Sequence, residues 1–445
     1  MKLFFASLGC DKNLVDSEHM LSRLAADGYT VTDDEYEADL IVVNTCCFIR
    51  DAMEESIQSI IDYGALKKNG HLKGLIVTGC LAQRYADEIR KELPEADVIL
   101  GTNSYDEISA AVKDLFQGKK DTVLKPLTGL CDDSTGRLLT TGGHFAYLKI
   151  AEGCSKNCSY CVIPSVRGAY RSVPMEPLLK EAEKLAEDGV RELILIAQET
   201  TLYGVDLYGR KMLPELIEKL SRIKGIRWIR LMYCYPEEIT DELVETIRTN
   251  PKVCHYLDIP IQHCSDEILR RMNRRTNRAS LEALITKLRS AIPDICLRTT
   301  MICGFPGETE EQHRELLSFI GQMKFDHLGA FPYSREDNTP AASMPDQIPD
   351  EIKNRRYDEI MTLQQKLSAE KNQSFVGKHL TAAVVGYLPD DDVYVARTYR
   401  DAPQVDGMLF TESDEALSSG DFIDVLVTGS SEYDLTGVLQ NELTE

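Results

Sequence analysis

The stretch "EGCSKNCSYCVIP", residues 152–164, sets Cys154, Cys158 and Cys161 in a C-x3-C-x2-C pattern directly after the apolar run "FAYLKIA". Three cysteines this close on one loop can wrap a single iron–sulfur cubane, and three ligands leave one iron open to another molecule. Zinc is the alternative, and it wants a fourth nearby cysteine or histidine. His144 lies before the strand and is poorly placed for that.

The loop stands at the head of a strand–helix series. "ELILIAQET", "WIRLMYCYP", "YLDIPIQHC", "DICLRTTMICGFPGE" and "HLGAFPYS" read as further strands, separated by helical patterns near 175–188, 213–223, 240–249, 265–272, 279–291 and 309–322. Strands alternating with such helices pair in parallel through right-handed crossovers. Residues 144–373 therefore predict a partial (β/α)6 barrel, closed by a helix within "DEIKNRRYDEIMTLQQKLSAEKNQSF", with its functional loops at the strand C-termini. Residues 1–125 repeat the alternation and predict an N-terminal open parallel α/β sheet domain. The Gly/Thr-rich stretch 126–143 reads as a linker, and the short strands of 374–445 predict a small C-terminal β-barrel. The fold class is α/β with an appended β domain.

Three N-terminal apolar runs end in a cysteine: "LFFASLGC" at Cys10, "LIVVNTC" at Cys46 and "GLIVTGC" at Cys80. The carboxyl ends of parallel strands share one edge, where such sheets place ligands, so thiols distant in sequence converge there. Soft sulfur ligands in this number select an iron–sulfur cluster or zinc. The plainer reading is that buried cysteines pack well at strand ends. Cys47 follows Cys46, and on an extended chain its side chain points to the opposite face, which leaves Cys46 as the candidate.

The 445 residues carry 50 Lys+Arg against 72 Asp+Glu, a formal net charge of −22. That balance opposes non-specific attraction to nucleic-acid phosphates and favours a basic partner. No apolar run reaches the ~18 residues of a membrane span, and the start "MKLFFASLGCDKN" lacks the apolar core of a signal peptide, so a cytoplasmic protein with no membrane partner is expected. Thirteen cysteines in a reducing compartment favour metal or catalytic use for those that cluster. Cys131, Cys234, Cys254, Cys264, Cys296 and Cys303 show no ligand spacing and read as packing residues; His255 and His263 read as hydrogen-bonded side chains.

The cysteine loop, with Tyr160 before its third cysteine, resembles the radical S-adenosylmethionine superfamily, and so does "MICGFPGETEEQ", residues 301–312, where Gly304 and Gly307 would let backbone approach the cofactor. Preceded by a three-cysteine α/β domain and followed by a β domain of the TRAM type, the arrangement resembles the methylthiotransferases over nearly the whole chain. "SLGCDKNLVDSE", "VVNTCCFI", "VTGCLAQRY", "AQETTLYGVDLYG" and "DIPIQHCSDEILRRMNRR" resemble the branch that methylthiolates the β-carbon of an aspartate in the twelfth protein of the small ribosomal subunit. The tRNA-modifying branch more typically carries "GCQMN"-like and "GQNVN"-like motifs where "GCDKN" and "AQETT" stand here. Asp11 departs from the proline frequent after the first cysteine, at a position that is not a ligand.

The resemblance implies two [4Fe-4S] clusters, one held by Cys154, Cys158 and Cys161 and an auxiliary one held by Cys10, Cys46 and Cys80. It also implies two S-adenosylmethionine molecules per turnover, one methylating sulfur at the auxiliary site and one cleaved reductively to a radical that takes hydrogen from the aspartate. An electron donor is implied as a partner. Gln198 and Glu199 at a strand end, and Arg298 inside the barrel, join Tyr160, Gly304 and Gly307 as candidate contacts to S-adenosylmethionine. Residues 374–445 hold three Lys+Arg against fourteen Asp+Glu, which suits a basic ribosomal protein and argues against a direct tRNA substrate. The alternatives are a tRNA adenosine methylthiotransferase and a non-catalytic iron–sulfur scaffold.

Overall fold

Parallel strands covered on both faces need continuous apolar runs, and the first sheet is built from such runs. The computed structural model describes residues 1–70 and 72–440; the end of the expected β domain, 441–445, lies outside the described residues. The N-terminal strands are β1 (Lys2–Ser7), β2 (Thr30–Val31), β3 (Leu40–Thr45), β4 (Gly74–Gly79), β5 (Val98–Leu100) and β6 (Thr122–Val123), in the order β2-β1-β3-β4-β5-β6 and parallel throughout. Every residue of β3 and β4 is buried. The helices α1 (Asp11–Ala26), α2 (Arg50–Lys68), α3 (Cys80–Arg84), α4 (Ala86–Glu92) and α5 (Ile108–Phe116) make the crossovers.

The second sheet runs in the order β14-β13-β12-β11-β10-β7, all parallel and open between its first and last strands, which makes the expected partial barrel. Its strands are β7 (Phe145–Lys149), β10 (Glu192–Ile196), β11 (Trp228–Leu231), β12 (Val253–Asp258), β13 (Cys296–Cys303) and β14 (His327–Pro332). A two-stranded antiparallel ribbon, β8 (Ala151–Glu152) with β9 (Arg171–Ser172), brackets the cysteine loop. The helices are α6 (Ile163–Arg167), α7 (Met175–Glu187), α8 (Val205–Tyr208), α9 (Leu213–Ser221), α10 (Asp241–Thr249), α11 (Asp266–Arg271), α12 (Arg278–Ala291), α13 (Glu310–Met323) and the closing α14 (Asp350–Gln373). Thr309 and Gln312 form a capping box that starts α13 directly after the Gly-rich turn.

The C-terminal strands β15 (His379–Leu388), β16 (Val393–Thr398), β17 (Leu409–Glu412), β18 (Phe422–Ser430) and β19 (Leu435–Leu439) close into a barrel in the order β15-β16-β17-β19-β18. This barrel plugs the N-terminal end of the partial one. Arg397 donates to Glu192 Oε2 at 2.7 Å and Arg230 to Glu192 Oε1 at 2.7 Å, all three side chains buried. Phe145, Tyr147, Trp228, Tyr256, Ala383 and Ala402 share one apolar cluster across the junction. Burial opposes the charge on Glu192, yet Arg397 and Arg230 hold its carboxyl down to about 2. The stretch read as a linker is pinned rather than loose: Arg137 is buried between Glu18 of α1 and Glu181 of α7, and Thr140 donates its N–H to Glu18 at 2.8 Å. Among the described residues, no helix is long and apolar enough to cross a membrane.

Candidate active site

Cys10, Cys46 and Cys80 stand where the chain leaves β1, β3 and β4, though each lies past its strand: Cys46 and Cys80 directly after Thr45 and Gly79, and Cys10 further on. Cys10 does not lie on a strand: β1 ends at Ser7, Gly9 turns at φ +94°, and Cys10 caps α1, where it is exposed. Gly79 makes the equivalent turn at φ +93° before Cys80, the first residue of α3. These glycines are required twice over. A Cβ on Gly9 would sit 2.9 Å from Cys46 Cβ, and one on Gly79 would sit 2.3 Å from Asn44 Oδ1.

The three thiols form one group. Burial pushes the Cys46 thiol up to about 12, and the neighbouring Cys80 and Cys10 add to the rise. Asn13 ties the group together: its amide donates at 3.0 Å to Leu8 O and to Thr45 O, and its Oδ1 lies 3.7 Å from Cys80 Sγ. Cys47 packs into the apolar cluster of Ile60, Val77, Leu81 and Ala82, which also takes in Cys80, and it has no interaction with Cys10 among those that raise its thiol.

The second group lies on the loop between β8 and α6. Cys154 and Cys158 are buried and Cys161 is half-buried. Burial pushes Cys161 up to about 12, with Cys158 and Cys154 raising it further, and takes Cys154 to about 11. Thiols held protonated in this way bind a metal with loss of their protons, which makes loading pH-dependent. Cys158 Sγ meets the Tyr235 hydroxyl at 3.5 Å and Arg274 Nη1 at 4.0 Å. Zinc wants four ligands, and each set offers three sulfurs with no fourth Cys or His assigned to it, so the donor chemistry suits a [4Fe-4S] cluster, whose thiolates each bind a separate iron.

The other expected contacts divide. Gln198 and Glu199 follow β10 at the cysteine-loop end of the barrel. Gln198 donates to Glu152 at 3.2 Å, while its Oε1 and Glu199 Oε2 are buried without a partner among the described residues. Burial pushes the Glu199 carboxyl up to about 7 against the hydrogen bonds from Thr201 and the charge of Lys156. Tyr160 is close to edge-on against Phe305, ring centres 6.5 Å apart. Gly304 and Gly307 have φ of +69° and +78°, but a Cβ there would meet Lys353 and Arg271, so protein neighbours already require glycine. Arg298 is engaged within the protein, donating to Asp258 at 3.0 Å and lying 3.3 Å from Asp406 of the C-terminal barrel. His255 pairs with Asp294 at 2.7 Å, and His263 Nδ1 accepts from Ser265 N at 2.9 Å.

Spacing did not reveal Arg167. From the end of α6 it donates to Asp16 at 2.8 Å, to Glu152 at 3.1 Å and also to Asn13, and Lys149 binds the same two carboxylates. Its one signal was a basic residue closing the short helix after Cys161. A cavity of about 720 Å3 opens beside this network, between α1, residues 130–137 and α7, and none of the six cysteines lines it.

The cysteine loop at the strand C-termini of an open parallel barrel defines a radical S-adenosylmethionine enzyme. Family models match accordingly: Uncharacterized protein family UPF0004 over residues 2–101, Radical SAM superfamily over 148–320 and TRAM domain over 376–439. A protein of Lachnoclostridium phytofermentans named ribosomal protein uS12 methylthiotransferase RimO is 56% identical over 99% of this chain and 100% of its own length. One of the same name from Clostridioides difficile is 48% identical over 100% of both chains. The chain therefore belongs to the RimO family of radical S-adenosylmethionine methylthiotransferases. A solved radical S-adenosylmethionine methyltransferase, TsrM from Kitasatospora setae, shares the fold with a TM-score of 0.56 at 14% identity, covering 85% of this chain and 75% of its own.

Proposed function

We propose that this methylthiotransferase acts on ribosomal protein uS12, placing a methylthio group on the β-carbon of an aspartate, and that the two cysteine triads hold its two [4Fe-4S] clusters. The observation that carries the reading is Arg167, which follows the Cys161 loop and bonds to Asn13, itself tied to the residue before Cys46 and in contact with Cys80. One side chain thus links the segment that follows the Cys161 loop to the residues around Cys46 and Cys80, which supports an enzyme that turns both triads toward one substrate. The Tyr233 hydroxyl, after β11, donates to Asp11 at 2.9 Å and fastens the start of α1 over the barrel mouth.

The target C–H bond is unactivated, and no side-chain base removes its proton at neutral pH; a bound cluster with S-adenosylmethionine would supply the radical chemistry that takes a hydrogen atom instead. The protein's part is to hold, orient and shield. Six thiolates are the metal ligands, Gln198 and Glu199 offer unpartnered oxygens at the strand ends, and α1 with its ion network covers the site from water. The acidic C-terminal barrel supports a basic protein as partner: Arg397 and Arg400 are buried, and Lys378 is its exposed base. The test is a competition between uS12, free or in the subunit, and tRNA, using purified enzyme with S-adenosylmethionine, reductant and sulfide. Modification of uS12 alone is expected; modification of tRNA alone overturns the reading.

A further inference from the structure

We infer that Lys12 is the residue that recognises the target aspartate, by pairing with its side-chain carboxylate; this rests on the aspartate reading above. Lys12 is 5% exposed, in the first turn of α1 and two residues beyond Cys10. Its ammonium stands 3.0 Å from the centre of the Tyr233 ring. Among the described residues it makes no hydrogen bond and no ion pair. A buried ammonium with no direct ion-pair partner is costly, even with Asp11 and Asp258 near enough to favour its charge, and such a group is kept where an anion arrives to pair with it.

The nearby carboxylates are already engaged. Asp11 Oδ2 accepts from the Tyr233 hydroxyl at 2.9 Å. Asp258 Oδ1 accepts from Arg298 at 3.0 Å and its Oδ2 from Tyr233 N at 3.0 Å. Tyr233 itself holds a φ of +60°, a conformation that a bulky residue keeps only when its surroundings impose it. The aromatic platform under Lys12 is thus fixed from both sides.

The location matches the chemistry. Lys12 lies between Cys10 and the C-terminal ends of β11 and β12, where the N-terminal domain meets the barrel mouth. The β-carbon of an aspartate is bonded directly to its carboxyl carbon, so anchoring the carboxylate places the reacting C–H one bond away. A chain of net charge −22 needs a cation to seat an anionic side chain there. The loop of Cys154, Cys158 and Cys161 has its own cation in Arg274, against Cys158, which leaves Lys12 to the substrate and not to S-adenosylmethionine.

The test compares wild type, Lys12→Met and Lys12→Arg, with iron content checked for each, in binding of uS12 carrying its native aspartate or asparagine at the target. Wild type should bind the aspartate form about tenfold more tightly, the value of one charge-assisted contact. Lys12→Met should bind both forms alike, and Lys12→Arg should keep part of the preference. A Lys12→Met enzyme that retains the wild-type preference, or a wild type that modifies uS12 yet binds both forms equally, overturns the assignment. So does a Lys12→Met enzyme that loses affinity for S-adenosylmethionine while keeping the aspartate preference. A wild type that leaves uS12 unmodified overturns the functional reading instead.

Discussion

At the residue scale the adjacent cysteines 46 and 47 have separate fates. Both sense Cys80, but Cys46 also stands against Gly9 and senses Cys10, whereas Cys47 is fully buried among aliphatic side chains. Reconstituted wild type should carry roughly eight irons, two cubanes of four. Cys46→Ala should fall to about half of that and Cys47→Ala should not; the reverse pattern by iron analysis would exchange their roles. A second residue sets a pH dependence. Burial pushes the Glu308 carboxyl up to about 7, against the charge of Arg356 and the N–H of Phe305. A carboxyl whose folded pKa lies above its ordinary value adds stability that is full at low pH and is lost as pH rises toward about 7. Glu308→Gln should therefore flatten the dependence of the thermal midpoint on pH between about 4.5 and 7, and an unchanged slope would remove Glu308 from the account. The six triad cysteines stood out in the sequence because type and position repeat. Lys12 and Arg167 did not, because a lone base gives no pattern until its partners, distant in sequence, are brought to it.

At the element scale the long strands and helices were legible from their periodicity, and the short edges were not. β2 and β6 are two residues each and mostly exposed, too brief for any alternation to register. α5 and β19 also escaped, being nine and five residues long beside charged or turn-like stretches. The ends of strands were the least readable part: "LFFASLGC" looks like one strand, but Gly9 turns Cys10 out of it and onto a helix cap. That turn and its counterpart at Gly79 position the thiols. Gly79→Ala should cost about 2 kcal/mol or more through the left-handed backbone alone, with the clash against Asn44 and Thr45 added. A lower thermal midpoint with iron lost from the auxiliary site is expected; wild-type iron content would show that the turn is not needed.

At the scale of the whole molecule, the order α/β sheet, partial barrel and β-barrel followed from the sequence, but the way the three pack did not. The contacts between them rest on single buried charges such as Glu192 with Arg397 and Asp16 with Arg167, pairs 205 and 151 residues apart in sequence. Breaking such a pair leaves an uncompensated charge, at a cost of about 3–5 kcal/mol. The acidic C-terminal barrel carries a further consequence. If it attracts a basic partner, uS12 should associate more slowly as ionic strength rises, and a rate indifferent to salt would leave its charge without that role. The central claim, that two cysteine triads act together on one aspartate, is tested most directly by mass spectrometry of uS12 after reaction with the reconstituted enzyme and with its Cys10, Cys46 and Cys80 triple alanine variant. The account predicts a methylthio increment on a single aspartate with the wild type and none with the variant. An unmodified aspartate with the wild type, or the same increment from the variant, would contradict it.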